Sequence, residues 1–220
     1  MEHKRISIFC GHYGSGKTNA AICFAEELRK TCENVVIADL DIVNPYYRTS
    51  DSKKELEEKG IRLICSPYAG SNVDLPALPQ EIYAITDDQR IQAVLDVGGD
   101  ERGALALGRL APAILRENDY DMFMVINMYR PLTPDADSVL EVKAEIENAC
   151  GIPFTAIINN SNLGPETTPD DVRASFAYAD RISEKTGLPI AATTVYPPIY
   201  EAMKGEGVTC IHLQKKPFEM

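Results

Sequence analysis

Short apolar runs rich in valine and isoleucine recur along the chain, each followed by a longer stretch whose apolar residues fall at helical spacing. That alternation is the signature of strands joined by crossover helices, and so of an α/β fold with a mostly parallel, twisted sheet covered on both faces. The runs predict about seven strands, over 5–10, 34–39, 61–65, 93–97, 121–127, 154–159 and 190–195. The intervening periodicity predicts helices over 17–30, 52–59, 103–117, 134–148, 169–186 and 199–204. Pro134 and Pro169 fall where a first helical turn tolerates a missing N–H, while Gly60, Gly151 and Gly187 fall where helices stop. The segment 66–89 is the least regular, interrupted by Pro67, Pro76 and Pro79, with room for a short helix over 80–85.

Composition narrows this picture. A chain of 220 residues at 45% hydrophobic content can build one sizeable core and is short for two, which predicts a single domain over 1–220. No apolar run reaches 18 residues, and the opening MEHKRISIFC leads straight into a strand rather than a signal peptide, so the expectation is a cytoplasmic protein with no membrane attachment. With 22 basic against 33 acidic residues the formal charge is −11, which works against nucleic acid as a partner. The six cysteines are scattered without metal-ligand spacing and read as buried thiols.

The strongest local signal is GHYGSGKT at 11–18, which meets the phosphate-loop pattern GxxxxGK(S/T) between a predicted strand and a predicted helix. Small residues let the backbone wrap around phosphate oxygens, with successive N–H groups and a helix N-terminus aimed at negative charge. Gly11, Gly14 and Gly16 supply that freedom, Lys17 would bridge the β- and γ-phosphates, and the Thr18 hydroxyl would coordinate magnesium. A glycine-rich turn without ligand is the competing reading. Two acidic strand ends could complete the site. Asp96 in VLDVGGD has the form of an aspartate that holds magnesium through water, with Gly99 placed to sense the γ-phosphate; a plain Asp-Gly turn is the alternative. Asp39 and Asp41, two apart after the second predicted strand, would project the same way if that strand continued; turn formation around Asn44 and Pro45 is the alternative.

On these residues the chain resembles the MinD/ParA/CobQ/CobB group of P-loop proteins, relatives of the nitrogenase iron protein and the arsenical-pump ATPases. In that group the loop reads GKGGxGKT, a DxD-like switch ends the second strand and an asparagine ending a later strand contacts adenine; the counterparts here are GHYGSGKT, Asp39-Leu40-Asp41 and INNSN at 158–162. The resemblance implies a three-layer P-loop NTPase fold that binds ATP and Mg2+, hydrolyses slowly without a partner and forms a homodimer. It implies that 11–18, meaning Gly11, His12, Tyr13, Gly14, Ser15, Gly16, Lys17 and Thr18, and the adjoining Asn19 hold the nucleotide. Asp41 would activate the attacking water, Asp39 would support the magnesium shell beside Asp96, Asn160 would face the base with Asn159 as second choice, and Pro197 in VYPPIYEAMKGEGV would lie near the adenine.

The chain departs from the group where the signature lysine, which reaches a partner's nucleotide across the dimer, is replaced by His12. Histidine is shorter and mostly neutral at pH 7, hence a weaker phosphate clamp. Arg102 or Arg109 could supply a compensating charge, the alternative being exposed helix arginines. The end of the chain, GVTCIHLQKKPFEM, is too mixed for a MinD-type membrane helix, and the acidic excess does not suit ParA-type DNA binding. The leading expectation is an ATPase whose switch segments, 42–50 and 98–103, report nucleotide state to an unidentified protein client. The alternative is a ligase or synthetase of the dethiobiotin or cobyrinic acid a,c-diamide type, with 66–89 covering a small substrate. A cluster-insertion factor is disfavoured by the lack of paired cysteines, and a non-hydrolysing nucleotide binder is a fourth reading. No guanine-reading NKxD follows the sixth predicted strand, which leans toward ATP.

Overall fold

Strands that carry apolar side chains on both faces must be buried on both, and the central strands here do. β1 (Ile6–Cys10), β2 (Val35–Leu40), β3 (Arg62–Ile64), β4 (Gln92–Val97), β5 (Tyr120–Ile126), β6 (Ala156–Asn159), β7 (Ile190–Val195) and β8 (Val208–Cys210) form one sheet in the order β3-β2-β4-β1-β5-β6-β7-β8. Every neighbouring pair is parallel. The computed structural model describes residues 3–41, 49–65 and 79–213. The predicted switch segment 42–50 thus lies outside the described residues up to position 48, as does the irregular segment 66–89 up to position 78.

Helices α1 (Lys17–Arg29), α2 (Lys53–Glu58), α3 (Ala84–Asp87), α4 (Glu101–Gly108), α5 (Ala111–Glu117), α6 (Ala136–Cys150), α7 (Pro169–Thr186) and α8 (Pro197–Ala202) cover the sheet. Because strand side chains alternate, β1 divides its apolar residues between two cores. Ile6 and Ile8 join Leu95 of β4, Leu107 of α4, Ile114 of α5, Ile146 of α6 and Ile182 of α7 on one face. Phe9 joins Val94 of β4, Val125 of β5, Ala21, Ile22 and Leu28 of α1 and Leu56 of α2 on the other. The result is three layers, helix, sheet and helix.

Two expectations need correction and one is extended. Among the described residues the sheet of about seven strands gains an eighth, β8, a three-residue edge strand too short to show a period. The single helix predicted over 103–117 is two, since Pro112 in the first turn of α5 has no N–H to bond the carbonyl of Gly108 and its ring would clash there. The last helix starts at Pro197 instead of 199, with Pro197 and Pro198 fitting the first two helical positions. The chain leaves β1 toward β2, β3 and β4 on one side and crosses to β5 on the other, so the strand order reverses at β1. The crevice at the carboxyl end of such a strand is where open α/β sheets place ligands.

Candidate functional site

The glycine-rich segment 11–18 emerges from β1 into that crevice and ends in the first turn of α1. A side chain at Gly11 would put its Cβ 2.3 Å from the Val125 carbonyl oxygen of β5, so the loop can leave the sheet here only as glycine. Gly16 has φ 85° and precedes α1 with no side-chain cap, which leaves the first N–H groups of the helix without a side-chain acceptor. Inside the loop, the Ser15 amide donates to the His12 carbonyl at 3.1 Å. Tyr13 is half exposed at the tip.

Lys17 is 3% exposed, and its Nζ lies 3.4 Å from Asp41 Oδ2. Burial works against its charge, but Asp96 and Asp41 outweigh that and raise its pKa above the usual lysine range. Asp41 does not extend β2, which ends at Leu40; its amide turns back to donate to Asp39 Oδ1 at 3.0 Å. The two carboxylates are therefore joined by a tight turn, and the alternation expected of a continuing strand does not align them. Asp39 pairs in register with Asp96 on the neighbouring strand β4.

Asp96 is fully buried. Burial pushes its carboxyl up, opposed by the Lys17 ammonium and the Thr18 and Thr49 hydroxyls. Its Oδ2 accepts from Thr49 Oγ1 at 2.8 Å, while Oδ1, like Ser15 Oγ, is buried with no hydrogen-bond partner among the described residues. Leaving buried polar atoms unpaired is costly, on the order of 1–3 kcal/mol each, so each of the two calls for a group to satisfy it. The backbone after β4 lies directly on the loop: a Cβ at Gly99 would meet the Tyr13 nitrogen at 2.7 Å and the Gly11 oxygen at 2.8 Å. Asp100 then caps α4 by accepting from the Gly103 amide at 3.0 Å.

The asparagine cluster divides its roles. Asn160 donates from Nδ2 to the Ser15 carbonyl at 2.7 Å and accepts at Oδ1 from Thr194 Oγ1 at 2.7 Å, so it braces the loop against β7. Only one of its two amide hydrogens is used in a hydrogen bond to a described residue. Asn159 is fully buried and turned toward α7, donating to Ser175 Oγ at 2.8 Å. Pro197 is half-buried at the start of α8, beside Tyr196, whose hydroxyl donates to Asn162 Oδ1 at 2.7 Å.

Thus Gly11, Ser15, Lys17, Thr18, Asp39, Asp41, Asp96, Gly99 and Asn160 converge on one crevice. Arg102 and Arg109, the proposed compensating charges, are exposed on α4, with Arg109 beyond its C-terminal end. Two residues escaped the sequence reading. Thr49, fully buried, belongs to a segment already read as a switch, but nothing marked out that threonine. Arg130, which donates from Nε to the Gly14 carbonyl at 2.8 Å, carries no motif at all.

A magnesium ion fits these residues in company with phosphate. Among the described residues no group of three or more His, Cys, Asp or Glu side chains could hold a metal unaided. The Thr18 hydroxyl and the unpaired Asp96 oxygen, acting through water, would supply two positions, with phosphate and water completing the shell. No described helix is long and apolar enough to cross a membrane.

No protein-family model matches the chain, and no curated protein matches it by sequence. Solved structures do resemble it. The cell division protein FtsY from Thermotoga maritima shares 18% identity and a TM-score of 0.58, covering 87% of this chain and 61% of that one. The signal recognition particle receptor FtsY from Elizabethkingia anophelis in complex with GDP shares 13% identity over 89% of this chain and 58% of that one, at a TM-score of 0.53. The signal recognition particle 54 kDa protein from Aeropyrum pernix in complex with GDP shares 16% over 86% and 41%, at a TM-score of 0.52. The chain spans about three fifths, or less, of the length of these structures. At such identities the likeness establishes the fold, the three-layer P-loop NTPase architecture. Two of the three are FtsY proteins and the third is the signal recognition particle 54 kDa protein; none is of the MinD/ParA type.

Proposed function

We propose that the chain binds a purine nucleoside triphosphate with magnesium, hydrolyses it slowly and uses its switch segments to report nucleotide state to a protein partner. The observation that carries this reading is the pair of buried, unpaired oxygens, Ser15 Oγ and Asp96 Oδ1, set around Lys17 and Thr18 at the end of a glycine-rich loop. A bound nucleotide supplies the negative charge for which Lys17 and the first N–H groups of α1 are arranged. Asp41 now shares Lys17 with that site, so phosphate and carboxylate compete for one ammonium. Once released, the Asp41 carboxylate is a base beside the loop, and its amide stays tied to Asp39.

The base is adenine in this reading. Guanine offers N–H donors that call for a carboxylate, and after Asn160 the first acidic residue is Glu166, which is exposed. Because two similar structures hold GDP, guanine is the comparison to make. Calorimetric titration with ATP, GTP, ADP and GDP in the presence of magnesium tests the proposal. Wild type should bind ATP more tightly than GTP, and Lys17→Ala should weaken binding by about a hundredfold, the loss of a charge-assisted contact pair. Equal affinity in the variant would sink the assignment.

A second reading rests on a cleft of about 760 Å3 between α4 and α6, which opens beside His12 and Gly99 with Val142 and Ile146 on its floor and Asp100 and Glu145 at its rim. A small acceptor seated there would suit a synthetase of the dethiobiotin or cobyrinic acid type. Phosphate release that depends on an added carboxylate substrate would favour it over the switch.

A further inference from the structure

Beside Lys17, the phosphate loop meets a second cation that comes from outside its own segment. Arg130 follows β5 in a turn organised by Asn127, whose Oδ1 accepts from the Tyr129 amide at 3.0 Å and whose carbonyl accepts from the Arg130 amide at 3.2 Å and from Thr133 Oγ1 at 3.0 Å. Pro131 restricts the Arg130 backbone further. The side chain thus leaves a fixed turn and lies across the loop: a Cβ at Gly14 would be 3.3 Å from Arg130 Nε and 3.4 Å from Cδ.

A guanidinium carries five N–H donors in a planar fork. One, from Nε, goes to the Gly14 carbonyl, and no described residue accepts from the two Nη groups or pairs with the charge. Arg130 is only half-buried, so those donors stand at the crevice. Its charge is also felt at Tyr196, next to Pro197. Arg130 is therefore held on the loop by geometry, and its field extends as far as Tyr196.

We propose that Arg130 is a nucleotide-binding residue, a cation supplied by the same chain that grips the phosphate and sugar of a bound nucleoside di- or triphosphate alongside Lys17. The inference rests on the nucleotide-binding reading above. It separates Arg130 from a mere brace, because bracing needs only the Nε donor, whereas gripping needs the charge and the fork.

The test uses ADP and adenosine with magnesium, on the full chain. Arg130→Gln can keep a donor for the Gly14 carbonyl but loses the charge; it should bind ADP about tenfold to a hundredfold more weakly than wild type, as weakly as Arg130→Ala, with Arg130→Lys between them. Thermal melting without nucleotide should move little in Arg130→Gln. Independently of any variant, phenylglyoxal labelling of wild type read by peptide mass spectrometry should show Arg130 protected by ADP and not by adenosine. Wild-type affinity in Arg130→Gln, or unchanged labelling at saturating ADP, would overturn the assignment alone. Failure of wild type to bind ADP or ATP would overturn the nucleotide reading and this inference with it.

Discussion

Gly16 and Asn160 show how two residues 145 positions apart define one another. A Cβ at Gly16 would fall 2.1 Å from Asn160 Nδ2, and the backbone there has φ 85°. Gly16→Ala should therefore destabilise the ligand-free protein by about 2–4 kcal/mol, from left-handed strain and a displaced hydrogen bond. The double variant Gly16→Ala/Asn160→Ala should cost less than the sum of the singles in urea denaturation, because the clash is removed with the amide. Strict additivity would mean that the two side chains do not meet. Lys17, Thr18 and the loop glycines were legible because their message is carried by local spacing. Asn160 stood out in sequence, but its grip on Ser15 of the phosphate loop did not, and Arg130 was invisible, since a partner 116 residues away leaves no trace in either neighbourhood.

Among the elements, α7 matches its predicted limits because both ends are written in sequence: Thr168 and Asp171 form a reciprocal capping box, Pro169 opens the first turn, and Gly187 follows the last. Asp171 has its pKa lowered from 3.8 by the Thr168 hydroxyl and amide. The folded protein thus binds this proton less readily than the unfolded chain, so the cap contributes fully above the unfolded value and is lost as pH falls through the depressed one. Asp171→Asn should reduce the drop in urea midpoint between pH 7 and pH 3, and an unchanged drop would show the cap to be energetically silent. The division between α4 and α5 was harder to read because Pro112 sits inside an unbroken apolar period. β8 depends on pairing with β7 rather than on any pattern of its own.

For the molecule as a whole, a phosphate cation supplied within one chain removes the reason for two copies to share nucleotides. Sedimentation velocity should give one monomeric species with ADP and with a non-hydrolysable ATP analogue; a nucleotide-dependent doubling of mass would restore the dimer implied by the MinD/ParA resemblance. The charge of −11 likewise predicts no measurable anisotropy change with a labelled DNA duplex at physiological salt. The hydrogen bond from Thr49 to Asp96 reaches beyond composition and symmetry into time. It fastens the end of one switch segment to the strand that launches the other, so neither should relax alone. Fluorophores at the exposed positions Lys53 and Arg102 should then follow ATP mixing with a common rate constant in stopped flow. Thr49→Val, which keeps the shape and cuts the tie, should split that single event into two clocks.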